Sequence, residues 1–435
     1  MSRIKVKNFG PIREGFVDND GWLDVGKVTV FIGDQGSGKS TVAKLISTFS
    51  WMEKSIVRNQ PLLEQLNAAV FKNLCSQQEM YEYFSENTYL SYKGDACDFE
   101  YDERKKSLKA KINDAGLRSY VLPKIQYISA ARNLLTILYN ISLQNIVDKN
   151  GNIIDLSSNI PYMVKVLNVE YMKAMEVFAR DGFPLPINDT SVYYQNHNTF
   201  IVAKGKQVSM ASASSGIQSI TPLLLVSHYL LNEVSKDFYE KVKTIDNNLK
   251  SRIENDFDKE SAVLLEKFKQ IYSFGRGILT KKEDEKLLDK KLKKYIPSSF
   301  VNIVEEPEQN LFPTSQQKLI NSLLEYNNAI NKNKLIITTH SPYVIGYMTL
   351  AVKAKELYKK AKKEEVKKQI NEIVPQNSAI SHKDLVIYEL DENEGSIHKL
   401  DTYKGIPSSK NYLNSELSEK NELYAQLLDI EDLCR

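Results

Sequence analysis

Lys27-Val28-Thr29-Val30-Phe31-Ile32-Gly33-Asp34-Gln35-Gly36-Ser37-Gly38-Lys39-Ser40-Thr41 decides the fold of this chain. Val28 to Ile32 has the β-branched, apolar make-up of a buried strand. Gly33 to Ser40 matches GxxxxGK[ST], a loop whose glycines let backbone N–H groups turn inward onto phosphate oxygens. Lys39 reaches the β- and γ-phosphates, and the Ser40 hydroxyl is placed to ligate Mg²⁺. The amphipathic run that follows, from Val42 to Ile56, reads as a helix whose positive N-terminal end faces the same anion. Such a match arises by chance in on the order of one or two chains in a hundred of this length. A strand before it and a helix after it make the nucleotide reading stronger still. The nucleotide-binding set is therefore Gly33, Asp34, Gln35, Gly36, Ser37, Gly38, Lys39, Ser40 and Thr41. ATP and Mg²⁺ are the expected cofactors.

Working outward, Val301-Asn302-Ile303-Val304-Glu305-Glu306 is a second apolar strand, and it ends in two carboxylates. The first, Glu305, is placed to hold the metal. The second, Glu306, is placed to orient the attacking water for in-line displacement at a γ-phosphate. Asp is usual at the first of these positions. The extra methylene shifts the metal and argues against assuming fast hydrolysis. Lys334 to Pro342 (KLIITTHSP) is a third buried strand, and His340 stands at its carboxyl end, where open α/β folds bind ligands. Ser214-Ser215-Gly216 opens an apolar helix and offers N–H and O–H donors to an anion, although alone it reads as a common helix cap. Gln126, in the apolar stretch 122–131, is the candidate for a glutamine that senses metal and γ-phosphate. Ser40, Glu305 and Gln126 form the candidate metal set. Lys39, Glu306 and His340 are the candidates for catalysis.

The 435 residues are 42% hydrophobic and 26% charged, which excludes disorder or a disulfide miniprotein for the whole chain. Charge is nearly balanced, 58 basic against 55 acidic residues. General nucleic-acid binding therefore has no support from net charge, and direct nucleic-acid binding is left open. Cys75, Cys97 and Cys434 show no metal-binding spacing and read as free thiols. No apolar run approaches the ~20 residues that span a bilayer, and the N-terminus lacks a signal-peptide core. The expectation is a cytoplasmic protein without a membrane partner.

Four segments follow from these signals. Residues 1–229 are the N-terminal part of an ATPase head, from phosphate loop to Ser214–Gly216. Residues 230–297 are rich in Lys, Glu and Asp with apolar residues at helical spacing. They read as two long helices broken at Gly275 and Gly277, an inserted arm or coiled-coil hairpin. Residues 298–350 complete the head with the carboxylate strand and His340. Residues 351–435 hold a Lys-rich helix, a β-hairpin turning at Asn393-Glu394-Gly395, and a helical tail.

The order of these motifs is that of ABC-type ATPase heads, so the fold class is α/β: an ABC-type, SMC/Rad50-like P-loop head with an inserted charged helical arm. In that class the Ser-Ser-Gly segment caps the nucleotide of a partner subunit. EEPEQNLFPTSQQ (305–317), TTHSPYVI (338–345) and ASSGIQS (213–219) resemble the SMC/Rad50-like clade that includes the OLD ATPases. Residues 341–435 carry no convincing Glu plus Asp-x-Asp metal set of the Toprim nuclease that OLD enzymes possess. With NFGPI (8–12) and GDQGSGKSTVAKLIS (33–47), the resemblance is nearest to the AriA-type ATPase subunits of PARIS anti-phage systems, with the PtuA-type ATPases of Septu as the near alternative.

That resemblance implies a homo-oligomer built from ATP-sandwiched head pairs, with a hexameric ring as one candidate assembly. It implies a nuclease effector of the Toprim type, AriB-like, held inactive by the ATPase. It also implies release by a phage trigger protein, such as an acidic DNA mimic. An acidic trigger needs a basic surface, and Arg104, Lys105, Lys106, Lys109 and Lys111 offer one, as does the run from Lys359 to Lys368. Solvated helix faces are the plainer account of both. The alternative function is an SMC/Rad50/OLD-like ATPase in DNA end processing or repair. It is disfavoured by the place of the insert, between Gly216 and Glu305 rather than between phosphate loop and signature.

Overall fold

The computed structural model describes residues 2–58, 62–136, 160–187, 189–196, 198–257, 262–274 and 282–433. Its centre is a seven-stranded sheet. Strand β4 (Val28–Gly33) lies between β14 (Lys334–Thr338) and β15 (Leu385–Leu390), and pairs in parallel with both. Next to β14, again parallel, come β13 (Ser299–Glu305) and then β8 (Pro123–Ile128). On the other side β16 (Ser396–Lys399) runs antiparallel to β15, and β2 (Gly15–Phe16) closes the edge. The strand of the phosphate loop is thus separated from the carboxylate strand by β14. Every residue of β4 and β13 is buried. That explains their near-continuous apolar runs, since a parallel sheet covered on both faces leaves no solvent side.

The alternation of strands sorts side chains into two cores. Val28, Val30, Ile32, Val304, Leu335 and Ile337 point to one face. There they meet α2 (Tyr162–Phe178), α3 (Ser215–Ser235), α4 (Pro313–Asn328) and α5 (Pro342–Lys360). Phe31, Ile303, Ile336 and Tyr388 point to the other face, onto α1 (Lys39–Arg58). A five-stranded antiparallel sheet covers the far side of α1, in the order β3 (Leu23–Val25), β1 (Ser2–Phe9), β5 (Phe84–Lys93), β6 (Cys97–Asp102), β7 (Ser107–Ile112). The helix is buried between two sheets. Phe49 stacks at 5.3 Å on both Tyr92 and Phe71. A third sheet, β9 (Phe183–Leu185), β10 (Thr190–Gln195), β11 (Asn198–Ala203) and β12 (Lys206–Ser209), leads into α3. Its last hairpin turns at Lys204-Gly205, as the sequence suggests.

Between α3 and β13 the described residues form four short helices, Phe238–Lys243, Asn247–Asp256, Ala262–Phe274 and Lys282–Leu292, in place of the two long ones expected. Asp237 and Asp246 explain the early breaks. Each accepts a backbone N–H of the next helix, from Glu240 and Leu249, and so starts a new helix. The apolar residues of these helices, among them Val242, Ile253, Phe268, Ile271, Leu288 and Leu292, form a separate core. The helices make a compact bundle with its own interior. Gly275 and Gly277, the expected break, lie outside the described residues, as does Cys434. Among the described residues no helix is long and apolar enough to cross a membrane.

Because Phe49 is fully buried between aromatic neighbours, Phe49→Ala is expected to lower the unfolding free energy by about 3–5 kcal/mol. Urea denaturation followed by circular dichroism measures it. A loss below 1 kcal/mol would mean that α1 is not the packed centre of the head.

Candidate functional site

The parallel register sets β4, β14, β13 and β8 to end at one level. Phe31 pairs with Thr338, Thr338 with Glu305, and Val304 with Ile128. Everything immediately beyond those residues therefore gathers at one edge of the sheet. From β4 it is the phosphate loop. Gly33 and Gly38 have φ of 137° and 99°. A Cβ at Gly33 would meet the Leu390 carbonyl oxygen at 2.3 Å, and one at Gly38 would meet Ile12 Cγ1 at 2.8 Å. Only glycine fits both positions. The loop doubles back so tightly that Lys39 Nζ donates to the carbonyl oxygens of Gly33, at 3.0 Å, and Asp34, at 2.5 Å. Lys39 is buried, and burial lowers its pKa to about 8, against the opposing pull of Glu306 and Asp34.

From β13 come the two carboxylates, which the structure treats differently. Glu305 is buried. One of its oxygens accepts the Tyr127 hydroxyl and the other the Ala130 N–H at 3.0 Å. Glu306 is more open, and its φ of +41° lies in the left-handed region, unusual for a non-glycine residue. Three hydrogen bonds hold its backbone there. Its N–H donates to the Thr338 carbonyl at 2.8 Å, and its carbonyl accepts from Gln309 N–H at 3.1 Å and from Arg132 Nη2 at 2.6 Å.

From β14 comes His340, whose Nε2 lies 3.6 Å from Glu306 Oε1. Burial and the Lys39 charge lower the His340 pKa, so at neutral pH the ring is uncharged and the contact is not an ion pair. The backbone of His340 is fixed by Glu308. One Glu308 oxygen accepts the Thr339 hydroxyl at 2.7 Å and the His340 N–H at 2.8 Å, while the other is buried without a hydrogen-bond partner. Burial raises the pKa of Glu308, with Glu306 adding to the rise. Lys39, Glu305, Glu306 and His340, picked from sequence, thus fall on one edge of the fold, with Ser40 next to Lys39 on the first turn of α1.

Ser214 and Ser215 are exposed at the N-terminus of α3, where the Ser214 side chain makes no capping bond. Gly216 is buried against the segment after the carboxylates. A Cβ there would meet the Asn310 carbonyl oxygen at 2.6 Å, so the glycine permits a close backbone contact. One turn further, the Ser219 carbonyl accepts from Arg132 Nε at 3.1 Å. Ser214 and Ser215 thus stand exposed, while Arg132 ties the helix behind them to the carboxylate strand.

Gln126 does not join this site. It sits in mid-strand, opposite Asn302 and not level with Glu305, and its amide donates to the Tyr127 carbonyl at 3.0 Å. It lines a cavity of about 120 Å³ with Ser47, Thr48 and Trp51. Those residues lie two to three turns along α1 from Ser40, about 10–17 Å at the helical rise. The chain beyond the end of β8 supplies instead Ala130 and Arg132 to the site, neither of which the sequence reading singled out. Glu308 was visible only as part of Glu-Pro-Glu. Tyr412, which opens the C-terminal helix α6 (Tyr412–Leu433), was not visible at all. Its hydroxyl donates to Asp34 of the phosphate loop and its N–H to Glu389 at 2.8 Å.

A family described as an AAA ATPase domain matches residues 278–345, which include Glu305, Glu306 and His340. No curated protein matches the chain. Among solved structures, an SMC head domain from Thermotoga maritima is similar at 10% identity and TM-score 0.35, covering 92% of this chain and 98% of that one. An SMC head bound to the C-winged helix domain of ScpA is similar at 8% identity and TM-score 0.36, covering 92% and 96%. By its own sheet order and phosphate loop the chain is a mixed α/β fold with a P-loop at the end of its central strand.

The lowered pKa of Lys39 gives a test. Below about pH 8 the free ammonium is protonated, and above it the amine loses its charge. A bound polyphosphate favours the charged form, so binding at pH 8.5 takes up a proton. Calorimetry in buffers of different ionisation enthalpy is expected to give different apparent heats at pH 8.5 and nearly equal heats at pH 6.5. Equal heats at both would disprove it.

Proposed function

We propose that this chain is an ATP-hydrolysing head that works as a switch. Two copies close around nucleotide, each completing the other's site. The observation that carries this reading is the convergence of Lys39, Glu305, Glu306 and His340 at and just beyond the ends of three neighbouring parallel strands. Lys39 meets the phosphates, and the loop N–H groups surround them. Ser40 and Glu305 would hold Mg²⁺, which when bound offsets charge on the β- and γ-oxygens. The glycine-only cradle at Gly33 and Gly38 fits such a polyanion. Glu306, the more open carboxylate, is free to orient a water. Neutral His340 stands beside it to contact the γ-phosphate. The exposed serines at 214 and 215, with their hydroxyls uncommitted to their own helix cap, suit a partner's nucleotide.

In the finer reading, the head is the scaffold and sensor of a bacterial anti-phage complex. It holds a nuclease effector of the Toprim type inactive until a phage-encoded trigger, such as an acidic DNA mimic, is sensed. Its support is the sequence resemblance of residues 8–12, 33–47 and 305–308 to the ATPase subunits of PARIS systems. The effector is a separate protein, so the purified chain does not cut nucleic acid.

Lys39→Ala is expected to weaken Mg-ATP binding by about 10–100-fold, the scale of a lost charged hydrogen bond. Glu306→Gln is expected to bind ATP, stall turnover and accumulate head pairs in sedimentation velocity. If Glu306→Gln with Mg-ATP sediments as wild type does without nucleotide, the paired-head switch is wrong. Metal-dependent cleavage of DNA or RNA by the purified chain would overturn the separate-effector reading.

A further inference from the structure

Arg132 is fully buried, and its guanidinium spends its donors on main-chain carbonyls from three segments. Nε donates to Ser219 O at 3.1 Å, in the first turns of α3. Nη1 donates to Glu305 O at 2.7 Å and to Ser129 O at 3.2 Å. Nη2 donates to Glu306 O at 2.6 Å. Glu308, Glu306 and Glu305 surround it and favour its charge, against burial that lowers its pKa to about 10. Such a group is costly to bury and is retained only where its bonds hold something together. What it holds is the left-handed turn at Glu306 and the start of the signature helix.

We propose that Arg132 is a positioning residue that couples the signature helix to the catalytic carboxylate: it sets the backbone of Glu306 according to where α3 stands. The inference rests on the ATPase reading and adds the path by which a partner's engagement at Ser214 and Ser215 reaches Glu306. The path is short. Ser219 lies one turn beyond Ser215, and a single rigid, planar group joins its carbonyl to that of Glu306. Hydrogen bonds of this kind weaken over a few tenths of an ångström, so α3 cannot shift without straining the Glu306 turn. Lysine cannot replace the arginine. A single ammonium carries the charge but does not span carbonyls from three segments.

The test compares wild type, Arg132→Lys and Arg132→Ala for Mg-ATP affinity, kcat, KM and thermal melting. Arg132→Lys is expected to melt cooperatively and to bind Mg-ATP within about threefold of wild type, with kcat lowered about 100-fold at unchanged KM. Millimolar guanidinium ion is expected to restore part of the turnover of Arg132→Ala. A kcat of Arg132→Lys within twofold of wild type overturns the proposal, as does a loss that follows nucleotide affinity or melting temperature alone. Should the variants not fold, hydrogen–deuterium exchange of the intact protein decides. A non-hydrolysable ATP analogue with Mg²⁺ is expected to slow exchange over residues 303–309 further in wild type than in Ser215→Arg, which blocks the partner's approach and leaves only the protection from the head's own nucleotide. Equal protection in both overturns the coupling. A wild type that neither binds nor hydrolyses Mg-ATP removes the ATPase reading itself, a result distinct from normal wild-type turnover matched by Arg132→Lys.

Discussion

Ile337 pairs with Val30 on one side and with Val304 on the other. Through these two parallel ladders β14 holds the phosphate-loop strand and the carboxylate strand one strand apart and in step. A slip of one residue in either ladder would exchange the core faces of a whole strand, sending Val30 or Val304 toward α1 and Phe31 or Ile303 toward α3. The register is therefore defended by two cores at once. That is why Lys39, Glu305 and His340 can come from positions far apart in sequence and still share one edge.

The same edge concentrates polar groups in poor solvent. Lys39, Glu305, Glu308 and Arg132 are all withdrawn from water to different degrees, and each is compensated by hydrogen bonds, most of them to the main chain. Main-chain partners fix geometry more firmly than side chains do, because they lose no rotamer freedom. Glu306 is the exception. Its carboxylate stays open, and its strained φ, a cost of order 1–3 kcal/mol, is carried by the three hydrogen bonds around it. Rigidity surrounds Glu306, and the strain sits at that residue.

Much of this was legible in the sequence because the relevant signals are local. Gly33 to Ser40 is a continuous stretch whose spacing has one structural meaning. The carboxylates and His340 stand at the ends of apolar runs, so the strand reading itself predicted the edge. Gln126 misled because residue type was weighed without register. Only the pairing of Gln126 with Asn302 shows that it falls short of the strand's end. Arg132 and Ala130 left no pattern, since their partners, the carbonyls of Ser219, Glu305 and Glu306 for the one and the Glu305 carboxylate for the other, lie 87 to 175 positions away. Strands β5 to β7 fall in a charged stretch without a continuous apolar run, because one face of that sheet is solvated. The two long helices expected after residue 230 failed for a similar reason. Helical spacing of apolar residues shows which face is buried, but not that Asp237 and Asp246 each begin a new helix.

The small bundle after α3 has a topological consequence. Its chain enters from the helix that begins with Ser215 and leaves into the strand that ends with Glu305, so it is the covalent bridge between them. Arg58, at the far end of the helix that begins with Lys39, also donates to the Tyr295 carbonyl within it, at 3.1 Å. A protein that grips this bundle takes hold of three machine parts by a single handle, at the end of α1 opposite the phosphate loop.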